Sequence, residues 1–178
     1  MFWLEKSFIF FVFMLTNSII IYDFQKSKTV DDWQVINDGV MGGLSKSEIS
    51  LTKEGYAEFS GHVSLANNGG FASVRHTTKI EVKPNHTQIV LRLKGDGKTY
   101  QFRLKNDINQ PESYVKAFNT NGEWQTIKID LADFSPQFRG RQLNMPNFNF
   151  DAIEEVRFLI ANKKEQDFEL LIDNIRLK

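Results

Sequence analysis

The chain contains no cysteine, which removes disulfides, thiol catalysis and thiolate metal sites together. That absence does not fix a compartment, because a domain of this size can be stable in an oxidising space without a bridge. Histidine is scarce: His62, His76 and His86 are scattered along the chain, which argues against zinc. Excess charge is missing as well. Lys plus Arg number 22 and Asp plus Glu number 22, so the composition shows no basic footprint for nucleic acid and predicts no polyanion partner. No stretch of twelve residues has an amphipathic helical period, which excludes βαβ units and a dinucleotide fold. The GxxxxGK[ST] phosphate loop and the GxSxG elbow are both absent. Asp and Glu occur throughout, but no spacing selects a pair for glycoside hydrolysis. There is no internal repeat and no low-complexity linker.

What is present is apolar and aromatic. At 178 residues, with 41% hydrophobic and 25% charged residues, the chain has one domain's worth of length and an ordinary soluble composition. Sixteen Phe lean it towards strands and a sandwich core. Residues 1–18 read as an apolar leader. Phe8 to Leu15 is an uninterrupted hydrophobic run, preceded by Lys6 and followed by Thr16, Asn17 and Ser18, in the manner of a signal peptide. The run is too short for a simple spanning helix. Export or membrane association at the cell envelope is expected over a cytoplasmic location.

From Ile19 to Lys178 the text is strands and turns. Ala57, Phe59, Val63 and Leu65 alternate with Glu58, Ser60, His62 and Ser64. Ile89, Leu91 and Leu93 alternate with Arg92 and Lys94; Tyr100, Phe102 and Leu104 alternate with Gln101 and Arg103. With Gly95-Asp96-Gly97 between them, these two runs predict a hairpin over 88–105. Further strands are expected at 19–24, 44–51, 70–76, 113–119, 123–129, 154–161 and 167–177. Residues 130–134 could form one helical turn capped by Asp130. Residues 130–152 read as a long loop packed by Phe134, Phe138, Phe148 and Phe150. Many short strands separated by turn signals give an all-β sandwich or barrel.

Two glycine-rich segments stand out. Asn37-Asp38-Gly39-Val40-Met41-Gly42-Gly43-Leu44-Ser45 is either a structural turn or a loop whose N–H groups and Asp38 hold a ligand. Asn67-Asn68-Gly69-Gly70-Phe71-Ala72-Ser73-Val74-Arg75 has the same style. Arg75, Arg92 and Arg103 are expected on the polar face of neighbouring strands, as bidentate donors to a ligand or as a lattice with Glu58 and other acids. Arg139 and Arg141 add a basic spot in the long loop. The candidate binding residues are therefore Asn37, Asp38, Met41, Asn67, Asn68, Arg75, Arg92, Arg103, Arg139 and Arg141. No catalytic residue, metal ligand or cofactor is assigned.

These segments, in this order, resemble the complex I intermediate-associated protein 30 family. The resemblance runs through Trp33, residues 37–45, Phe59-Ser60-Gly61, residues 67–75, residues 95–100, Phe118-Asn119-Thr120, Trp124, residues 133–141 and residues 168–175. It implies a galactose-binding-domain-like jelly-roll sandwich over residues 19–178. It also implies a non-enzymatic assembly factor, since mitochondrial members act in assembly of the respiratory NADH:ubiquinone oxidoreductase. The expected partner is a protein, including membrane-complex subunits. Two departures are visible: the leader lacks the length, Arg content and amphipathic form of a transit segment, and Lys98 stands where the family commonly has Arg. The alternative reading is a carbohydrate-binding protein of the cell envelope, with Trp33, Trp124 or Tyr100 as stacking surface. A glycan hydrolase or lyase is a weaker third.

Overall fold

A computed structural model describes residues 18–178; the apolar leader and its targeting role lie outside the described residues. Thirteen strands build two sheets facing each other across one core. One sheet contains β1 (Ile19–Asp23), β3 (Lys46–Leu51), β4 (Ala57–Val63), β6 (Gln88–Gly95), β9 (Trp124–Asp130) and β13 (Gln166–Leu177). Its order is β3-β4-β13-β6-β9, with β1 also paired to β13. The other contains β2 (Trp33–Val35), β5 (Ala72–Glu81), β7 (Thr99–Lys105), β8 (Ser113–Asn119), β10 (Ser135–Phe138), β11 (Arg141–Gln142) and β12 (Ala152–Ile160), in the order β11-β10-β8-β7-β12-β5-β2. Every pairing is antiparallel. This is the expected all-β jelly-roll sandwich. Among the described residues no helix is long and apolar enough to cross a membrane.

The two-residue period of each strand decides which side chains enter the core. Phe102 on β7, Phe158 on β12 and Val74 on β5 are directly opposed in register and fully buried. Phe102 and Phe158 lie 4.9 Å apart, ring centre to ring centre. In the other sheet Phe59 meets Phe168 at 4.8 Å, and Phe168 reaches Tyr100 across the sandwich at 6.4 Å. Burying each such ring stabilises the fold by roughly 1.5–3 kcal/mol. Trp33 is buried beside Tyr22, Phe24 and His76.

Several local expectations are corrected. The runs 88–95 and 99–105 are not a hairpin, because β6 pairs with β13 and β9 while β7 pairs with β8 and β12. Alternation shows that a strand buries one face, and it is silent about which strand lies beside it. Residues 95–98 instead cross from one sheet to the other. Asp96 fastens that crossing by accepting from Lys98 Nζ (2.6 Å), Tyr100 Oη (3.0 Å) and the Glu169 amide (3.0 Å). Thr120 Oγ1 accepts from Gly97 N and donates to Lys98 O. The strand expected to reach Leu65 ends at Val63, and Leu65 is exposed. Asp130 precedes a short 3-10 turn, Leu131–Asp133, without capping it; its carboxylate accepts from Gln88 Nε2. Within 130–152, Phe134 and Phe148 enter the core, Phe138 and Phe150 stay over a third exposed, and residues 135–138 form β10.

A second fastening joins the two glycine-rich loops. Asp38 is fully buried. Its carboxylate accepts from Ser45 N, Ser45 Oγ, Gly70 N and Phe71 N. Burial alone would raise this carboxyl, but the Ser45 hydroxyl and the three amides outweigh it and hold it below the ordinary range. The neighbouring glycines are explained by this contact. A Cβ on Gly43 would lie 2.3 Å from Asp38 Oδ1, and one on Gly69 2.6 Å from Asp38 Oδ2. Asn37 Oδ1 adds a bond from Ser47 Oγ at 2.8 Å and one from the Ser73 amide at 3.4 Å.

Two outcomes are expected in urea denaturation. Asp96→Ala leaves the Glu169 amide without its acceptor and the Tyr100 hydroxyl with the Glu169 carbonyl alone, and should cost about 2 kcal/mol; an unchanged midpoint would contradict the fastening role. Asp38→Asn should cost about 3 kcal/mol near neutrality, because one amide oxygen replaces a charged pair of acceptors. The Asp38 carboxyl is depressed in the folded state, so its contribution is fully present above 3.8 and is lost as pH falls through the lower folded value. The gap between wild type and Asp38→Asn should therefore narrow in acid, and a constant gap would refute the account.

Candidate functional site

The outer face of the seven-stranded sheet carries a trough of about 520 Å³. Its floor is Gln101 and Arg103 from β7 and Arg157 and Leu159 from β12. These residues alternate with Phe102 and Phe158, so the register that buries the phenylalanines turns the arginines outward. One wall is Gln137, Arg139 and Gly140, from β10 and the turn after it. The other is Met41, Leu65 and Gly69 to Phe71, from the two loops that Asp38 ties together. Ala161 and Lys163 complete the lining.

Across the sheet Arg103, Arg157 and Arg75 are directly opposed on β7, β12 and β5. Glu155 lies beside them and is buried, 1% exposed. Its Oε1 accepts from Arg157 Nε (3.2 Å) and Nη2 (3.0 Å), and its Oε2 from Arg75 Nη1 (3.4 Å). Arg75 also donates to the Gln34 amide oxygen from Nε and Nη2. Arg103 donates Nε and Nη2 to Gln101 Oε1, at 3.1 and 2.6 Å. Burial first, then the neighbouring Arg157 cation, push Arg103 down to about 10, with Glu155 opposing them. It remains charged at neutral pH.

The trough lining contains no carboxylate, imidazole or hydroxyl side chain. Lys163 is the one side chain there of a type that can act as base or nucleophile, and no carboxylate, imidazole or hydroxyl in the lining partners it. What the lining offers is planar donors, two amides and several apolar patches, which is the equipment of recognition. Among the described residues no three His, Cys, Asp or Glu come together as a metal site.

Three of the expected binding residues, Met41, Arg103 and Arg139, line this trough. Arg75 stands one strand beyond its floor. Asn67 and Asn68 are exposed in left-handed backbone (φ 54° and 60°) and shape the turn leading to Gly69. Asn37 and Asp38 support the wall from behind; the Asp38 carboxylate is fully occupied by protein donors and faces no solvent, which corrects its reading as a ligand contact. Arg141 is exposed on β11 outside the lining. Arg92 lies on the other sheet, its guanidinium 5.3 Å above the Trp124 ring, so the expected row of Arg75, Arg92 and Arg103 does not exist. Glu58 is on that sheet too, and the acid that joins the arginines is Glu155. Sequence reading missed Gln101, Gln137, Arg157, Lys163 and Glu155 as parts of one place. Alternation along 154–161 groups Glu155 with Arg157, but only strand pairing sets them beside Arg103.

The three aromatics expected as stacking surfaces are elsewhere. Trp33 and Tyr100 are buried, and Trp124 packs on Tyr56 at 4.5 Å in the other sheet. A wider depression of about 930 Å³, bordered by His86, Asp130, Leu131 and Phe148, is separate from the trough. Its His86 ring accepts from the Lys83 amide and serves the local turn.

Comparison with known proteins now adds to this geometry. The solved family 11 carbohydrate-binding module from Clostridium thermocellum, in complex with a β-1,3-1,4-mixed-linked tetrasaccharide, superposes with a TM-score of 0.66. It is 21% identical and covers 90% of this chain and 94% of that one, which shows a shared fold. Complex I intermediate-associated protein 30, mitochondrial, of Drosophila melanogaster is 27% identical over 94% of this chain, and its Mus musculus counterpart 23% over 88%. The aligned regions span 65% and 55% of those two proteins, so this chain corresponds to a part of each. The family model for complex I intermediate-associated protein 30 matches residues 22–172, nearly the whole double sheet and all three loops that wall the trough, and the chain belongs to that family.

Proposed function

We propose that this protein is a non-catalytic binding domain that takes an oligosaccharide in the trough of its seven-stranded sheet. The observation that carries the reading is the convergence of sheet guanidiniums, Gln101 and Gln137 in one groove that no carboxylate, imidazole or hydroxyl side chain lines. Guanidinium and amide side chains read hydroxyl pairs through bidentate hydrogen bonds. The likeness in fold to a carbohydrate-binding module supports this choice by analogy. Binding would rest on hydrogen bonds more than on ring stacking, since Trp33, Tyr100 and Trp124 are all outside the groove and Phe71 is the one aromatic side chain in its lining. A location outside the cytoplasm, as the leader suggests, is where such a ligand would be met.

The second reading is an assembly factor that binds a protein partner, including subunits of a membrane complex. Family membership and the names of the fly and mouse relatives favour it. The same walls, at residues 41, 69–71 and 137–140, would form the docking face.

Isothermal titration against β-glucan, galactan and uronate oligosaccharides tests the first reading. Gln137→Ala should weaken binding about fivefold, the scale of one neutral hydrogen bond, and Trp124→Ala should leave it unchanged. If Trp124→Ala abolishes binding and Gln137→Ala does not, the ligand lies on the other sheet. If no saccharide binds and crosslinking in cells recovers membrane-complex subunits, the assembly reading replaces this one.

A further inference from the structure

The chemistry of the ligand can be narrowed further, on the footing that the trough is a saccharide site. The chain as a whole is neutral, but the outer face of the seven-stranded sheet is not. Glu155 is shared by Arg157 and Arg75. Arg103 has only a neutral amide as partner. Among the described residues Arg103, Arg139 and Lys163 form no salt bridge. All three line the trough, together with Arg157, and no Asp or Glu does. Directly opposed guanidiniums on a sheet repel each other, and a half-buried cation with no ion-pair partner of its own is held at a cost that a bound anion would relieve. Guanidinium forks match the planar geometry of a carboxylate.

The floor strands exclude one way of holding a peptide. β7 is paired on both sides, with β8 and β12, and β12 with β7 and β5. Neither exposes an unpaired edge, so an acidic peptide has no strand to extend. A ligand there must be read by side chains, through its own hydroxyls and carboxylates.

We infer that the trough takes a carboxylate-bearing glycan, a uronate chain, with Arg103 and Arg139 engaging its carboxylates. The test is isothermal titration of the protein with galacturonan and alginate oligosaccharides, each beside its methyl-esterified form, which keeps the backbone and removes the charge. At least one acid form should bind about tenfold more tightly than its ester, and the difference should shrink with added salt. Arg103→Gln and Arg139→Gln should each remove most of that difference by weakening the acid form far more than the ester. Arg92→Gln, on the opposite sheet, should alter neither. Arg139 sits in an exposed turn, so its variant carries the test should Arg103→Gln unfold. Equal binding of acid and ester, or binding of neutral saccharides only, overturns the uronate inference and leaves the saccharide reading in place. Binding of polyglutamate with no saccharide bound overturns both and points to an acidic protein partner. Binding of none of these probes also overturns both.

Discussion

The placement of β12 between β5 and β7 is the constraint on which the rest depends. One register sets Phe158 against Phe102 and Val74 on the inner side and Arg157 against Arg103 and Arg75 on the outer. Core and trough are therefore two sides of the same pairing. A slip of one residue would turn the arginines inward and the phenylalanines out, and burying guanidiniums without partners is far costlier than the hydrogen bonds such a slip could recover. The chemistry of the groove is protected by the packing beneath it.

Loops complete what the sheet begins. The Asp38 carboxylate pulls residues 45, 70 and 71 onto one point, and this fixes where Met41 and Phe71 stand beside the arginine row. The short side chains at 43 and 69 follow from that point, since anything larger would collide with the carboxylate. Much of the sequence singularity of the two glycine-rich segments is thus the signature of a buried anion held by main-chain amides. Its effect on recognition is indirect, through the position of a wall.

Local pattern made the strands legible. The alternation of Phe59 with Ser60, or of Phe102 with Arg103, is a statement about one strand and its two faces, and it held across most of the chain. Partnership was not legible, because it is a property of residues far apart. The Gly95-Asp96-Gly97 turn looks like a hairpin until Tyr100 and the amide of residue 169 are found on Asp96. In the same way Arg92 and Arg103 have equivalent local contexts and end on opposite sheets. The candidate site was readable as segments, the two glycine-rich runs 37–45 and 67–75 and the long loop that carries Arg139, each of which contributes residues to the trough. Its charge was hidden by a composition that balances over the whole chain while one face remains basic.

The ends of the seven-stranded sheet are very short: β11 has two residues and β2 three. The six-stranded sheet ends in β3 and β9, which expose Lys46, Glu48, Lys128 and Asp130, and its further border, β1 on β13, is five residues long and broken by a bulge. Borders of this kind make poor templates for the strand of a second molecule. A cysteine-free sandwich with broad faces is thereby guarded against stacking edge to edge with its own copies, and that protection is independent of whatever occupies the groove.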